Sequence, residues 1–212
     1  MIAREGIRVV LPVFFIAFIL SIFTLLSASI LLKVIFWISL ILFIFIVYFF
    51  RDPNRLVSNK DNVIVSPADG KIIAIENVDD GFVGKGKRIS VFMSIFNVHI
   101  NRVPFGGIVR KVNYEKGSFL AAYKSAASFE NERSEISIES EGLKFTVTQI
   151  AGLIARRIVS YLSVGDSINK GDRYGMIMFG SRVDLVIPEN VEIKVQLGDK
   201  VKGGETIIGE IL

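Results

Sequence analysis

The chain has 212 residues, 51% of them apolar, no cysteine, one histidine and a formal net charge of +4. That balance excludes a disulfide scaffold, a disordered tail and a wholly soluble protein, and it argues against a zinc or iron–sulfur centre. The charge is too dilute for the basic stripe of a nucleic-acid binder, so no nucleic-acid partner is expected.

The apolar excess sits at the start. Residues 1–50 hold nine of the 17 phenylalanines and only four charges: Arg4, Glu5, Arg8 and Lys33. Residues 9–32 and 34–50 are uncharged, and as helices they would run about 36 Å and about 25 Å. The hydrocarbon core of a bilayer is about 30 Å thick, so one helix over both is too long. The economical solution is a transmembrane helical hairpin turning near Ser27-Ala28-Ser29, with Lys33 at the far interface and Trp37 and Tyr48 near the two interfaces. Arg4, Arg8, Arg51, Arg55 and Lys60 then share one side, which the positive-inside rule makes cytoplasmic. Ser-Ala-Ser also resembles a signal-peptide cleavage site. The apolar run is longer than a signal core and a second run follows at once, so an uncleaved anchor at a cell membrane is preferred.

Residues 51–212 read as a globular domain, entered through the polar turn Arg51-Asp52-Pro53-Asn54-Arg55. Short β-like runs alternate with glycine turns. The opening strand is expected within Ser66-Pro67-Ala68-Asp69-Gly70-Lys71-Ile72, a long buried strand over residues 89–100, and half-buried strands at 145–149 and 191–197. Residues 119–130 and 153–159 are the weak helical candidates. Val164-Gly165-Asp166-Ser167-Ile168-Asn169-Lys170-Gly171-Asp172 is echoed by Leu197-Gly198-Asp199-Lys200-Val201-Lys202-Gly203-Gly204-Glu205. Gly165 and Gly198 are expected in tight turns, with Ile168 and Val201 pointing inward. The fold class expected is a mainly β (α+β) domain with barrel-sandwich-like elements behind the helical hairpin. Biotinyl and lipoyl carriers share that pattern, but no carrier lysine tip occurs here.

Conventional catalytic constellations are missing: no P-loop, no nucleophile elbow, no metal-ligand spacing. The sole histidine, His99, is the one candidate base, although a lone histidine in an apolar run reads first as a satisfied core residue. Gly180-Ser181 lies between strand-like segments at 174–179 and 183–187. Such a pair is ordinarily a turn. A serine hydroxyl can, however, attack the carbonyl before it, and Gly180 gives the backbone the freedom to bend.

Arg51-Asp52-Pro53, Ser66-Pro67-Ala68-Asp69-Gly70, Asn97-Val98-His99-Ile100-Asn101-Arg102-Val103-Pro104, Asn131-Glu132-Arg133, Gln149-Ile150-Ala151-Gly152 and Phe179-Gly180-Ser181-Arg182 follow one another in this order. Together they resemble the short-form phosphatidylserine decarboxylase proenzymes, over about residues 48–188. The resemblance implies self-cleavage between Gly180 and Ser181, giving residues 1–180 and 181–212 as a heterodimer of two chains from one precursor. It implies that Ser181 becomes a covalent pyruvoyl cofactor, which forms a Schiff base with the substrate amine and accepts electrons as carbon dioxide leaves. The substrate implied is a membrane phospholipid, phosphatidylserine, and the product phosphatidylethanolamine; an ether-linked archaetidylserine fits the same headgroup chemistry. His99 matches the histidine used in decarboxylation, and Asp69 matches the family aspartate. Longer members carry a second histidine where Arg102 stands, and arginine cannot serve as a base. Either His99 acts in both steps, the preferred solution, or backbone strain and another carboxylate assist the cleavage. Arg156, Arg157 and Arg102 are candidate phosphate binders, since arginine forks suit phosphate oxygens, although a solvated or membrane-facing patch explains Arg156 and Arg157 as well. Physics alone reads residues 131–133 as a surface loop and Asp184 as a hairpin charge. A higher oligomer is left open. A competing expectation is a non-enzymatic, membrane-anchored barrel-sandwich adaptor, which conflicts with the charge asymmetry and with the lack of a heptad run after Phe50.

Overall fold

The computed structural model describes residues 1–118, 130–152, 157–178 and 180–212. The chain divides into two compact units, Met1–Pro53 and Asn54–Leu212. The first is a pair of helices, α1 (Arg4–Leu26) and α2 (Ile30–Phe49), joined through Ser27-Ala28-Ser29. Both are long and apolar enough to cross a membrane. Most of their large side chains, Phe15, Phe23, Trp37 and Ile41 among them, are exposed, which suits a surface that lipid covers. Every backbone group of such a segment must be satisfied within it, which is why it is helical despite many β-branched residues. The hairpin closes on itself: Phe14 and Phe43 rings stand 5.7 Å apart, and the Ala3 amide donates to the Phe50 carbonyl at 2.8 Å. Gly6 lets the ends meet, because a Cβ there would lie 2.5 Å from the Cβ of Phe50.

The second unit is mainly β. Its strands are β1 (Val63–Val65), β2 (Gly70–Asp80), β3 (Gly84–Met93), β4 (Ile100–Arg102), β5 (Gly107–Glu115), β6 (Arg133–Ser140), β7 (Leu143–Ile150), β8 (Ile158–Ser160), β9 (Ser167–Ile168), β10 (Arg173–Ile177), β11 (Ser181–Pro188), β12 (Val191–Ile193), β13 (Lys200–Val201) and β14 (Ile207–Ile211). The largest sheet has the order β13-β2-β3-β11-β7-β6-β5-β9, beside two three-stranded sheets, β4-β10-β8 and β1-β14-β12. β11 lies inside the largest sheet: it pairs with β3 on one side and β7 on the other, and residues 181–187 are all buried. Its apolar face, Val183, Leu185 and Ile187, joins Ile89, Val91, Val147, Ile136 and Ile138 in one core. Each such side chain contributes about 1.5–3 kcal/mol by leaving water, so Leu185→Ala costs about 2–5 kcal/mol.

The mainly β expectation holds, and so does the internal echo. Gly165 and Gly198 both adopt φ +95°. In each turn the following aspartate accepts the amide three residues back: Asp166 from Ser163 at 2.7 Å and Asp199 from Gln196 at 2.8 Å. Ile168 and Val201 are buried. Several strand bounds need correction. The run over 89–100 breaks after Met93, where Ser94 donates from both its amide and its hydroxyl to Asn97 Oδ1 at 2.8 Å and turns the chain. Residues 66–69 are a turn between β1 and β2, with Ser66 Oγ donating to the Ala68 carbonyl at 2.7 Å. The strand expected at 191–197 ends at Ile193. Of the helical candidates, 119–129 and 153–156 lie outside the described residues, while Ile158 and Val159 belong to β8 and are extended.

Candidate active site

Ser181 is the first residue of β11 rather than part of a turn, and its side chain is fully buried. Gly180, just before it, holds φ +58°, a left-handed conformation that a side chain disfavours. Among the described residues the Ser181 hydroxyl has no hydrogen-bond partner, which is uncommon for a buried polar atom and marks a site with another task.

Two strands bring the next residues to this point. Met93, at the end of β3, pairs with Ser181. β4 runs beside β10, and the His99 carbonyl accepts the Ile177 amide at 3.3 Å, four positions before Ser181. His99 is fully buried, and its Nδ1 lies 2.9 Å from the Asn97 carbonyl. A carbonyl only accepts, so Nδ1 carries the proton, and in the neutral ring Nε2 is the basic nitrogen. Asn101, two residues on, approaches Met93 Sδ at 3.7 Å through Nδ2 and accepts from Gln149 Nε2 at 2.8 Å. Gln149 in turn pairs with Val183 across the β7–β11 ladder. Ser181, Met93, Asn101 and Gln149 thus form one buried cluster on the strand ends, and His99, just before β4, is tied by its carbonyl to the end of β10.

Asp69 and Arg102 belong to a second cluster. Asp69 ends the turn before β2 and is held by Arg55, whose Nη2 donates to both carboxylate oxygens, and by the Gly203 amide at 2.8 Å. Its hydrogen bonds therefore go to neither His99 nor Ser181. Arg102 is buried and donates from Nη1 to the Gly171 carbonyl at 2.9 Å. It packs at Gly204, where a Cβ would come within 2.7 Å of its Cδ and 3.8 Å of the Arg55 Cβ. β4 links the clusters, since it carries both Asn101 and Arg102. Arg157 is exposed, and its carbonyl accepts the Met178 amide at 3.2 Å. Arg156 lies outside the described residues.

Two expectations based on charge are overturned. Asp184 is not a hairpin charge: it is buried in β11, paired with Arg182 at 2.5 and 3.0 Å, and Arg182 also donates to Ser90 at 2.7 Å. The i, i+2 spacing of a strand puts both ions on one face, a signal the sequence carried. Residues 131–133 are not a surface loop. Asn131 and Glu132 are buried, Asn131 Nδ2 donates to the Ala151 carbonyl at 2.7 Å, and the Ala151 amide donates to the Glu132 carbonyl. The Tyr114 hydroxyl donates to the Glu132 carboxylate, and that hydrogen bond, then burial and the carboxylate's charge, raise the phenol's pKa. Gln149 and Asn101 were missed as site residues because neutral amides in apolar runs give no signal of their own. Among the described residues, neither of two surface clefts, of about 670 and 570 Å³, is lined by Ser181 or His99.

A family model described as phosphatidylserine decarboxylase matches residues 42–209. A phosphatidylserine decarboxylase proenzyme from Desulfotalea psychrophila is 44% identical over 214 residues, covering 100% of this chain and 97% of that one. One from Cupriavidus metallidurans is 42% identical over 217 residues, covering 100% and 95%, and one from Geotalea uraniireducens is 47% identical over 179 residues, covering 84% of each. With a family match over most of its length and relatives of this identity aligned nearly end to end, the chain belongs to the phosphatidylserine decarboxylase family.

Proposed function

We propose that this protein is a self-processing decarboxylase that converts phosphatidylserine at a membrane into phosphatidylethanolamine and carbon dioxide. Family membership supports the reaction. The observation that carries the self-processing is Ser181 itself, a buried hydroxyl without a partner among the described residues, placed directly after a glycine at φ +58°. The Ser181 Oγ attacks the Gly180 carbonyl carbon; the Oγ–C bond forms, the peptide C–N bond breaks, and the nitrogen takes the proton, leaving an ester. His99, with its basic Nε2, then removes the Cα proton of Ser181; the Cα–H electrons expel the Gly180 carboxylate, and water displaces ammonia from the dehydrated residue. The products are residues 1–180 and residues 181–212, the latter beginning with a pyruvoyl group.

The buried, uncharged surroundings of Ser181, with Met93, Asn101 and Gln149 beside it, suit such a group. The ketone supplies an electron sink for loss of carbon dioxide from a bound amine. His99 is the acid that returns a proton to the substrate carbon. Arg157, exposed beside Met178 and hence near the Ser181 end of β10, is assigned to the lipid phosphate together with Arg156. Arg102 faces the Gly171 turn and Asp69 its Arg55 partner, so both act from the neighbouring cluster. The basic flanks Arg4, Arg8 and Arg51 support a cytoplasmic site, which protease protection in sealed vesicles would check.

Intact mass is the test. Purified protein should give two fragments, the smaller with a blocked N-terminus, and Ser181→Ala should stay whole and inactive. A continuous polypeptide that still releases carbon dioxide from phosphatidylserine would overturn the reading.

A further inference from the structure

The buried cluster holds two polar atoms of opposite character that the fold leaves unsatisfied. Among the described residues neither Ser181 Oγ nor Gln149 Oε1 has a hydrogen-bond partner. One is a donor and the other can only accept. An unpaired buried group costs about 1–3 kcal/mol, so two in one cluster are not an idle arrangement.

Their positions on the sheet are related. Gln149 is registered opposite Val183 across the antiparallel β7–β11 ladder, and Ser181 is two residues before Val183. Side chains two apart on a strand share a face, and registered partners share it too. Ser181 and Gln149 are therefore diagonal neighbours on the core face, a separation of about 7–8 Å that long side chains bridge. The amide end of Gln149 is also fixed. Its Nε2 donates to Asn101 Oδ1 at 2.8 Å, which orients Oε1. Gly175 provides the room: a Cβ there would lie 2.8 Å from Gln149 Nε2 and 2.3 Å from the Val159 carbonyl oxygen. Asn101 sits on β4, the short strand that begins directly after His99.

We infer that Gln149 is the positioning residue for self-cleavage: its Oε1, unpaired in the resting fold, accepts the Ser181 hydroxyl as that side chain turns and orients Oγ for attack on the Gly180 carbonyl, with Asn101 holding the amide in place. Gln149 is no base. It fixes the direction of the O–H bond, and His99 moves the protons. The inference rests on Ser181 being the attacking group, and it explains how a chain with Arg102 in place of a second histidine aligns its nucleophile.

Gln149→Met keeps the length and removes the acceptor. The full-length variant, made in membranes and followed by gel and mass, should cleave about tenfold or more slowly. Because Met also strips Asn101 of a donor, Asn101→Leu/Gln149→Met, which removes both ends of the bond, serves as the second variant and should be as slow while keeping the wild-type melting temperature within a few degrees. Hydroxylamine separates a slowed attack from a slowed breakdown of the ester, since it cuts the ester but not the amide, and the kept melting temperature separates orientation from a merely structural role. If Gln149 acts in the attack, hydroxylamine does not speed the cleavage of either variant, which stays about tenfold slow. Variants that hydroxylamine cleaves at the wild-type rate, or that cleave unaided at that rate, would overturn the inference. Ser181→Ala run alongside keeps the two claims apart: two fragments from it would sink the nucleophile assignment itself, whereas fast Gln149→Met with whole Ser181→Ala sinks only the role of Gln149.

Discussion

Arg55 Nη2 donates to both oxygens of Asp69, at 2.9 and 2.7 Å, with only 7% and 13% of the two side chains exposed. The aspartate that matches the family's is thus spoken for by an ion pair. Removing one partner of a buried pair strands the other charge, so Arg55→Met is expected to destabilise the domain by about 3 kcal/mol. Asp69→Asn keeps a carbonyl for the Gly203 amide and should cost less. If Asp69 also serves self-cleavage, Asp69→Asn slows fragment formation in protein that remains folded, while Arg55→Lys does not. Urea unfolding and a cleavage time course on the same preparations read both effects. Equal slowing by the two variants would leave Asp69 as a structural anchor alone.

Gly180 has φ +58° and, among the described residues, nothing within 4 Å of the position a Cβ would take. The cost of Gly180→Ala is therefore conformational rather than steric, about 1–2 kcal/mol. That cost falls on the bond to be broken. Cleavage should slow while the melting temperature drops by only a few degrees, and unchanged cleavage would show that the left-handed conformation plays no part in the attack.

The proposed cut leaves β11 to β14 on the small fragment. β11 stays hydrogen-bonded between β3 and β7, and β14 between β1 and β12. Seven consecutive buried residues, 181–187, anchor it. The two fragments should co-purify through detergent and size exclusion and part only under denaturant. Separation in mild detergent would contradict this arrangement.

The helical hairpin was legible because charge-free length is a one-dimensional property. The Gly-Asp turns were legible because a left-handed glycine and an aspartate that caps its own turn are local devices; φ +95° recurs at Gly165 and Gly198. Strand ends were less so. The run over 89–100 reads as continuous by hydropathy, yet Asn97 folds it back through one side-chain oxygen. Charge was misread where sheet centrality decided it. Asp184 looks exposed until β11 is known to lie between two strands, and then it needs Arg182 as a partner. The tie between Gln149 and Asn101 joins residues 48 apart, and no local pattern announces it.

Tyr174 offers a pH test away from the proposed chemistry. It is fully buried in β10, and among the described residues its hydroxyl has no partner. Burial alone pushes the phenol far above its usual value of 10. A folded-state pKa above the unfolded one gives stability that is present in full below pH 10 and is lost as pH rises past it, because only the unfolded chain can then ionise. The loss runs at up to about 1.4 kcal/mol per pH unit for one proton. Tyr174→Phe removes that share, so the variant should hold its stability better than the parent between pH 10 and 11. At pH 7 it should be equal or more stable by about 1 kcal/mol, since an unsatisfied hydroxyl is exchanged for hydrogen. Urea titrations at the two pH values decide the matter. A variant weaker at pH 7 and parallel to the parent at alkaline pH would mean that the hydroxyl is satisfied by water and that the tyrosine is not the alkaline weak point.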